Sequence, residues 1–237
     1  DKEAQRKKDA SDVRHQIYAL ILNFLPLLGV PSIWISGREA DDLIFVARKR
    51  LFGSFRAVVI SGDKDFLQMV DPVTWVFNPM TRVAKRRAPG LMITPENFEQ
   101  EVGLRGARQY LAYKILVGDD SDRIPGVPGV GEATATTLLH LYGTLRKILA
   151  NAAKVEAMGR RYAKAVSQEG KETMLRNSQL MDLGCRPLSA WSETRGAMVR
   201  KLERGEDPPD LSVLERVAME LEALSFADQV NLWGVPF

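Results

Sequence analysis

The sequence predicts an α/β protein, a mostly parallel sheet flanked by helices, followed by a helical region. Two observations carry this. Up to about Val102, short β-branched apolar runs alternate with amphipathic stretches, the order expected of a layered, mostly parallel sheet. Past Arg105 no convincing strand pattern returns, and apolar spacing of three or four residues takes over. With 237 residues and 45% apolar content, one large domain or two modest ones can bury a core.

Residues 1–11 are charged and lack an apolar face, so they read as an exposed lead-in. From Asp12, the spacing of Val13, Ile17, Leu20, Ile21, Phe24 and Leu28 predicts a helix that stops at Gly29. VPSIWIS (Val30–Ser36) has the composition of a short buried strand, and READDLIFVARKRLF that of a helix with Ala40, Leu43, Ile44, Ala47 and Leu51 on its apolar stripe. Ala57–Ile60 is a continuous apolar run, as in a parallel strand covered on both faces. TWVFNP predicts another strand, residues 81–90 an exposed basic hairpin or loop, and Thr94-Pro95 a helix start. Helices follow over Tyr110–Val117, Glu132–Leu141, Leu145–Ala150, Arg160–Ser167 and Lys171–Met181. After the break GEDPPD, a last amphipathic helix is expected over Leu211–Leu224. Trp34 and Trp75 read as core beside strands, and His15 and His140 as surface or helix-packing residues.

Acids recur at three places in this frame. Glu39, Asp41 and Asp42 open a helix, Asp63 and Asp65 follow a strand, and Asp119 and Asp122 precede a turn. Acids at a helix start complement its dipole, which accounts for one or two of the first three. Seven carboxylates brought together would repel one another unless cations neutralise them, and all-oxygen ligation favours magnesium or manganese over zinc. Two such ions about 3.5 to 4 Å apart suit phosphodiester hydrolysis. Asp120 reads as solvent-facing.

The glycine-spaced turn Gly126-Val127-Pro128-Gly129-Val130-Gly131 has its own logic. Its glycines let backbone amides approach an anion, and a helix opens at Glu132 with free N–H groups. Val127, Val130, Ala135, Leu138 and Leu139 have the spacing that packs two helices across a tight hairpin. A phosphate seated there would belong to duplex backbone, a contact that positions without reading sequence. The chain as a whole carries +3, but residues 143–206 hold 13 Lys or Arg against 7 Asp or Glu, which suits a polyanion gripped in one region and cut in another.

The ordered set EADD, GDKD, GDDSD and IPGVPGVGEATA resembles the flap endonuclease and 5′→3′ exonuclease superfamily, most nearly the 5′-nuclease domain of bacterial DNA polymerase I and the bacteriophage 5′-exonucleases. The resemblance implies a PIN-like nuclease core over residues 1–108, a helix-three-turn-helix module with the acidic motif over 109–150, and a helical region over 151–237. It implies that Glu39, Asp41 and Asp42 help hold one metal and that Asp65, Asp119 and Asp122 hold the other, with Asp63 near both. A potassium ion is expected at the Gly126–Gly131 turn, with Val127 and Val130 in the DNA-binding hairpin. Arg82, Lys85, Arg86 and Arg87 are expected to touch DNA backbone. Substrates are expected to be 5′-flap or branched duplex DNA, with RNA primers a further expectation. Two departures stand out. The family's first strand, with another metal-binding Asp, has no counterpart in this sequence. In the family's gateway element Arg6 fills the Arg position, as a catalytic candidate, while Glu3 stands at the Lys position, leaving Lys2, Lys7 or Lys8 as substitutes.

Other readings stay open on the residues alone: a DNA-binding module of the same fold without turnover, or a PIN-type ribonuclease. The lack of a Walker-type lysine loop speaks against a small-substrate phosphohydrolase. One cysteine, Cys185, and two separated histidines exclude a disulfide framework and a zinc ligand set, and point to an intracellular reducing compartment. No apolar run reaches the roughly 20 residues of a membrane span, and a monomer is expected.

Overall fold

The computed structural model describes residue 30 and residues 32–79, 90–185 and 188–203. By internal contacts the chain separates into two units, residues 1–37 with 196–237 and residues 38–195. The second holds the sheet and the helices that carry the site. The expected helix from Asp12, the helix over Leu211–Leu224, Arg6 and the basic segment with Arg82, Lys85, Arg86 and Arg87 lie outside the described residues.

Strand β1 (Ala57–Ile60) runs parallel to β2 (Thr74–Asn78), and β2 pairs antiparallel with β3 (Leu91–Ile93), giving the order β1-β2-β3. A 3-10 helix, Lys64–Met69, makes the crossover from β1 to β2 and buries Phe66, Leu67 and Met69. Helix α1 (Ala40–Val46) continues into a π-helical turn, Ala47–Leu51. That turn is anchored by Arg48, which is buried and donates to Thr74 Oγ1 at 2.6 Å and Phe52 O at 2.9 Å. The buried guanidinium thus ties the helix to the first residue of β2.

Helical structure then dominates: α2 (Phe98–Val102), α3 (Ala107–Val117), α4 (Glu132–Tyr142), α5 (Leu145–Ala150), α6 (Ala152–Ala157), α7 (Arg160–Val166), α8 (Gln168–Met181) and α9 (Leu188–Glu203). Thr144 caps α5 through the Lys147 N–H, and Ser167 both ends α7 and caps α8 through the Gly170 N–H. The core runs from Val76, Ile93 and Phe98 through Leu116 to Leu138, Leu139, Ile148 and Val155. No helix among the described residues is long and apolar enough to cross a membrane.

Several expectations are corrected. Ser32–Ile35 is not a strand and Trp34 is 55% exposed, because β-branched composition favours a strand only in a packed sheet context and does not by itself create one. The AVVI run is covered on one face only, with Val58 and Ile60 exposed, so continuous apolarity here does not mark a doubly covered strand; among the described residues β1 pairs with β2 alone. Thr94-Pro95 forms a turn, and α2 begins at Phe98. Asn97 holds that turn by accepting from the Thr94 N–H at 2.8 Å and donating to Met92 O at 2.8 Å. A strand does occur past Arg105: β4 (Gly118–Asp119) and β5 (Ile124–Pro125) pair antiparallel, too short to leave an alternation pattern.

Candidate metal and nucleic-acid site

Each acid owes its position to a local backbone device. Asp63 follows the carboxyl end of β1 and caps the 3-10 helix, its side chain accepting the Asp65 N–H at 2.8 Å while its own N–H donates to Ser61 Oγ at 3.0 Å. This places Asp65 in the first turn of that helix. Asp119 follows Gly118, the residue that stops α3, and its Oδ1 accepts from the Ser121 N–H at 2.9 Å and Ser121 Oγ–H at 2.5 Å. That side-chain turn leads into Asp122. Carboxylate oxygens of Asp65, Asp119 and Asp122 lie within 4.8 Å of one another, although the residues come from separate segments.

The cleft containing Asp63, Asp65, Asp119 and Asp120 has a volume of about 580 Å³ and is also lined by Tyr110, Tyr113, Lys114 and Glu132. Lys114 is the residue that the sequence reading missed. It lies in the last turn of α3, is 8% exposed, and donates from Nζ to Asp65 Oδ1 and to Asp119 Oδ2, the latter at 2.5 Å. The available signal was a single lysine inside the apolar run Tyr110–Val117.

Two carboxylates sharing one ammonium diverge in acidity. Burial raises the Asp65 pKa, and the charges of Asp63 and Asp119 leave the Lys114 contact unable to reverse it. Burial also opposes ionisation of Asp119, but the hydrogen bonds from Lys114 and Ser121 prevail and bring it down to about 2. Burial works against charge on Lys114, and the bonds to Asp119 and Asp65 outweigh it, so its pKa is raised. Burial, reinforced by Glu132, pushes the Tyr113 hydroxyl up to about 12.

Glu39, Asp41 and Asp42 occupy the start of α1 as expected, but they are not part of the close trio. Glu39 precedes the first turn, Asp41 Oδ1 accepts the Asp42 N–H at 2.8 Å, and Asp42 is buried. Asp120 is exposed.

The glycine turn is tied directly to the acid cleft. The Val127 N–H donates to Leu116 O at 2.8 Å, so the turn starts from the end of α3. Gly118 and Gly126 face each other so closely that a Cβ on either would enter the opposite backbone. Asn177, fully buried in α8, donates to Ile115 O at 3.0 Å and Pro125 O at 2.9 Å, clamping the same joint. Within the turn, Val127 and Val130 are buried with Ala135, Leu138 and Leu139, as their spacing predicted. Gly129 has φ +75°, and Lys164 of α7 lies over it. Gly131 precedes α4, whose first N–H groups lie at the exposed end of the hairpin.

The described structure is thus a small α/β sheet joined to a helical hairpin, with carboxylates gathered at the junction. Two family models match the chain: the 5′-3′ exonuclease N-terminal resolvase-like domain over residues 2–103, and the 5′-3′ exonuclease C-terminal SAM fold over residues 106–193. The chain belongs to the 5′-3′ exonuclease family. A 5′-3′ exonuclease of Aquifex aeolicus is 30% identical over 235 residues, covering 98% of this chain and 72% of that protein. DNA polymerase I of Thermus thermophilus is 35% identical over 154 residues, which are 65% of this chain and 17% of the polymerase. The chain thus matches about 17% of the length of the polymerases, Mycobacterium bovis DNA polymerase I included. Among solved structures, a bacteriophage T5 protein co-crystallised with metal ions aligns with TM-score 0.64 at 18% identity, covering 83% of this chain and 72% of that one. A bacteriophage T5 flap endonuclease in complex with DNA and metal ions aligns with TM-score 0.63 at 19% identity, covering 85% and 74%. At this identity the likeness is one of fold.

Proposed function

We propose that the chain is a structure-specific 5′-nuclease that hydrolyses phosphodiester bonds in 5′-flap or branched DNA. The observation that carries this reading is the convergence of Asp65, Asp119 and Asp122, in a 5′-3′ exonuclease family chain, at the foot of a glycine turn built to meet a phosphate. The donor set fits a hard divalent cation: three carboxylates, all oxygen, from two rigid segments. Magnesium or manganese is the expected ion, and its chemistry when bound is to lower the pKa of water and to stabilise the leaving oxygen.

The chain's own residues divide the remaining tasks. Asp65, Asp119 and Asp122 hold one ion, and Glu39, Asp41 and Asp42 contribute to a second site, with Asp63 serving both. The Gly126–Gly131 turn and the N–H groups opening α4 seat a phosphate of the duplex, with potassium as the ion of the turn. Arg6 and the basic side chains of Arg82, Lys85, Arg86 and Arg87 complete the assignment on the strength of the family resemblance. The division into a nuclease core over 1–108, a hairpin module over 109–150 and a helical region over 151–237 belongs to the same reading.

The test is cleavage of a 5′-flap duplex in Mg²⁺ against Ca²⁺, alongside single-stranded RNA. Flap cleavage in Mg²⁺ alone is expected. Binding in both ions with cleavage in neither would assign a binding module, and cleavage of single-stranded RNA unaffected by replacing Gly129 and Gly131 would assign a ribonuclease.

A further inference from the structure

The acid cleft is built around a cation of the protein's own. Lys114 reaches Asp65, 49 positions away, and Asp119, five positions away, and it bonds both with one ammonium. Lysines in the last turn of a helix ordinarily complement the dipole from an exposed position. Lys114 instead is 8% exposed, and a buried ammonium is tolerable only when closely paired. The pairing is also selective. Ser121 satisfies the other oxygen of Asp119, while Asp122 is exposed and makes no ion pair among the described residues.

The charge balance gives this arrangement a consequence. Asp65, Asp119 and Asp122 carry three formal negative charges, Asp63, Asp120 and Glu132 line the same cleft or its rim, and Lys114 sets one positive charge directly between Asp65 and Asp119. Resting on the metal reading above, we propose that Lys114 is a built-in counter-cation, a positioning residue that holds Asp65 and Asp119 together before metal enters and then limits how tightly the trio binds it. Without Lys114 two half-buried carboxylates would face each other with no positive charge between them, which disfavours the metal-free protein. The same loss would deepen the negative potential offered to an incoming ion, which favours the metal-bound one. The two effects have opposite signs, and a merely structural lysine would produce only the first.

The experiment uses the whole chain, wild type and the variants Lys114→Met, Lys114→Gln and Lys114→Arg, with Asp119→Asn as a control. Thermal unfolding is followed in EDTA and in saturating Mn²⁺, and Mn²⁺ affinity is measured by calorimetric titration. Lys114→Met and Lys114→Gln are expected to melt at lower temperature in EDTA, to bind Mn²⁺ about tenfold more tightly, equivalent to about 1.4 kcal/mol, and to gain more in melting temperature from Mn²⁺ than wild type does. Lys114→Arg, which retains the charge, is expected to bind like wild type. Should Lys114→Met fail to fold in EDTA, the polar Lys114→Gln still supplies the affinity. Mn²⁺ binding weakened or reduced in stoichiometry by Asp119→Asn but no tighter in the uncharged Lys114 variants would overturn the counter-cation role and leave the metal reading standing. Mn²⁺ binding to Asp119→Asn with the affinity and stoichiometry of wild type would overturn both.

Discussion

The acid cleft and the glycine turn sit at the same end of α3, yet they are built by opposite rules. The turn is local: glycines at 126, 129 and 131 and apolar residues at 127, 130, 135, 138 and 139 lie in one stretch of sequence, and all of those apolar side chains are buried. The cleft is not local, since Asp65 arrives from beyond β1 and meets Asp119 only through the crossover packed on α3. On the proposed function, a phosphate seat is specified by a local motif, while a metal centre depends on a fold holding distant acids against their repulsion. Changes in the cleft should therefore alter chemistry without altering DNA grip, and changes in the turn should do the reverse.

The largest expected effect is on chemistry. Asp119→Asn should lower flap cleavage by roughly a thousandfold, the scale on which removing one charge-stabilising group from an active site acts. Duplex binding should be unchanged or tighter, because a negative charge beside a polyanion has been removed. Asp63→Asn is expected to act in the same direction. Single-turnover cleavage measured beside a gel-shift titration separates the two quantities. Equal losses in both would mean that cleft and turn are not divided as described.

Next come the joints between the two regions. Gly126→Ala would drive a Cβ into the Val117 and Leu116 carbonyls, a backbone collision that no rotamer relieves, and should destabilise the protein by about 3 kcal/mol in denaturant titration. Asn177→Ala should cost about 2 kcal/mol, since it strips a buried donor from two carbonyls at the same joint. If the joint carries the turn, both variants should lose duplex affinity while the cleft's response to Mn²⁺ persists. Reduced Mn²⁺ response with intact DNA binding would reverse that order of dependence.

What could be read from the sequence follows the same division. The helices past Arg105 and the hairpin spacing were legible because 3.6-residue periodicity and glycine punctuation are written in adjacent residues. Asp65, Asp119 and Asp122 were legible as candidates, but their meeting required the fold. Lys114 was passed over because a lysine in a helix's last turn has a bland explanation, and only its burial removes it. Asn177 left no trace in the pattern of α8, where a polar residue is as easily solvent-facing as buried. The strand expected over Val30–Ser36 does not form at Ser32–Ile35 for the complementary reason: composition was right, but strand formation is decided by sheet context that composition does not specify.

Asp71 offers the smallest contrast with Asp119, because it makes a similar lysine contact outside the acid cleft. Its Oδ2 accepts from Lys49 Nζ at 2.7 Å, its Oδ1 accepts the Val73 N–H at 3.0 Å, and Arg48 stands 3.9 Å away. Burial opposes its charge, but the bonds from Lys49, Thr74 and Val73 prevail and lower its pKa below the ordinary 3.8. A carboxylate with a depressed folded-state pKa stabilises the fold at pH values above its unfolded pKa, and that contribution disappears as pH falls through the folded one. Wild type should therefore exceed Asp71→Asn in stability at neutral pH by about 1 kcal/mol or less, given the solvent exposure of Lys49. The gap should close as pH drops below 3.8 and should shrink with added salt. At neutral pH, cleavage and Mn²⁺ affinity should be untouched. A pH-dependent gap in stability with unchanged metal binding would mark Asp71 as a structural acid, and a change in Mn²⁺ affinity would extend the cleft's electrostatics across the sheet.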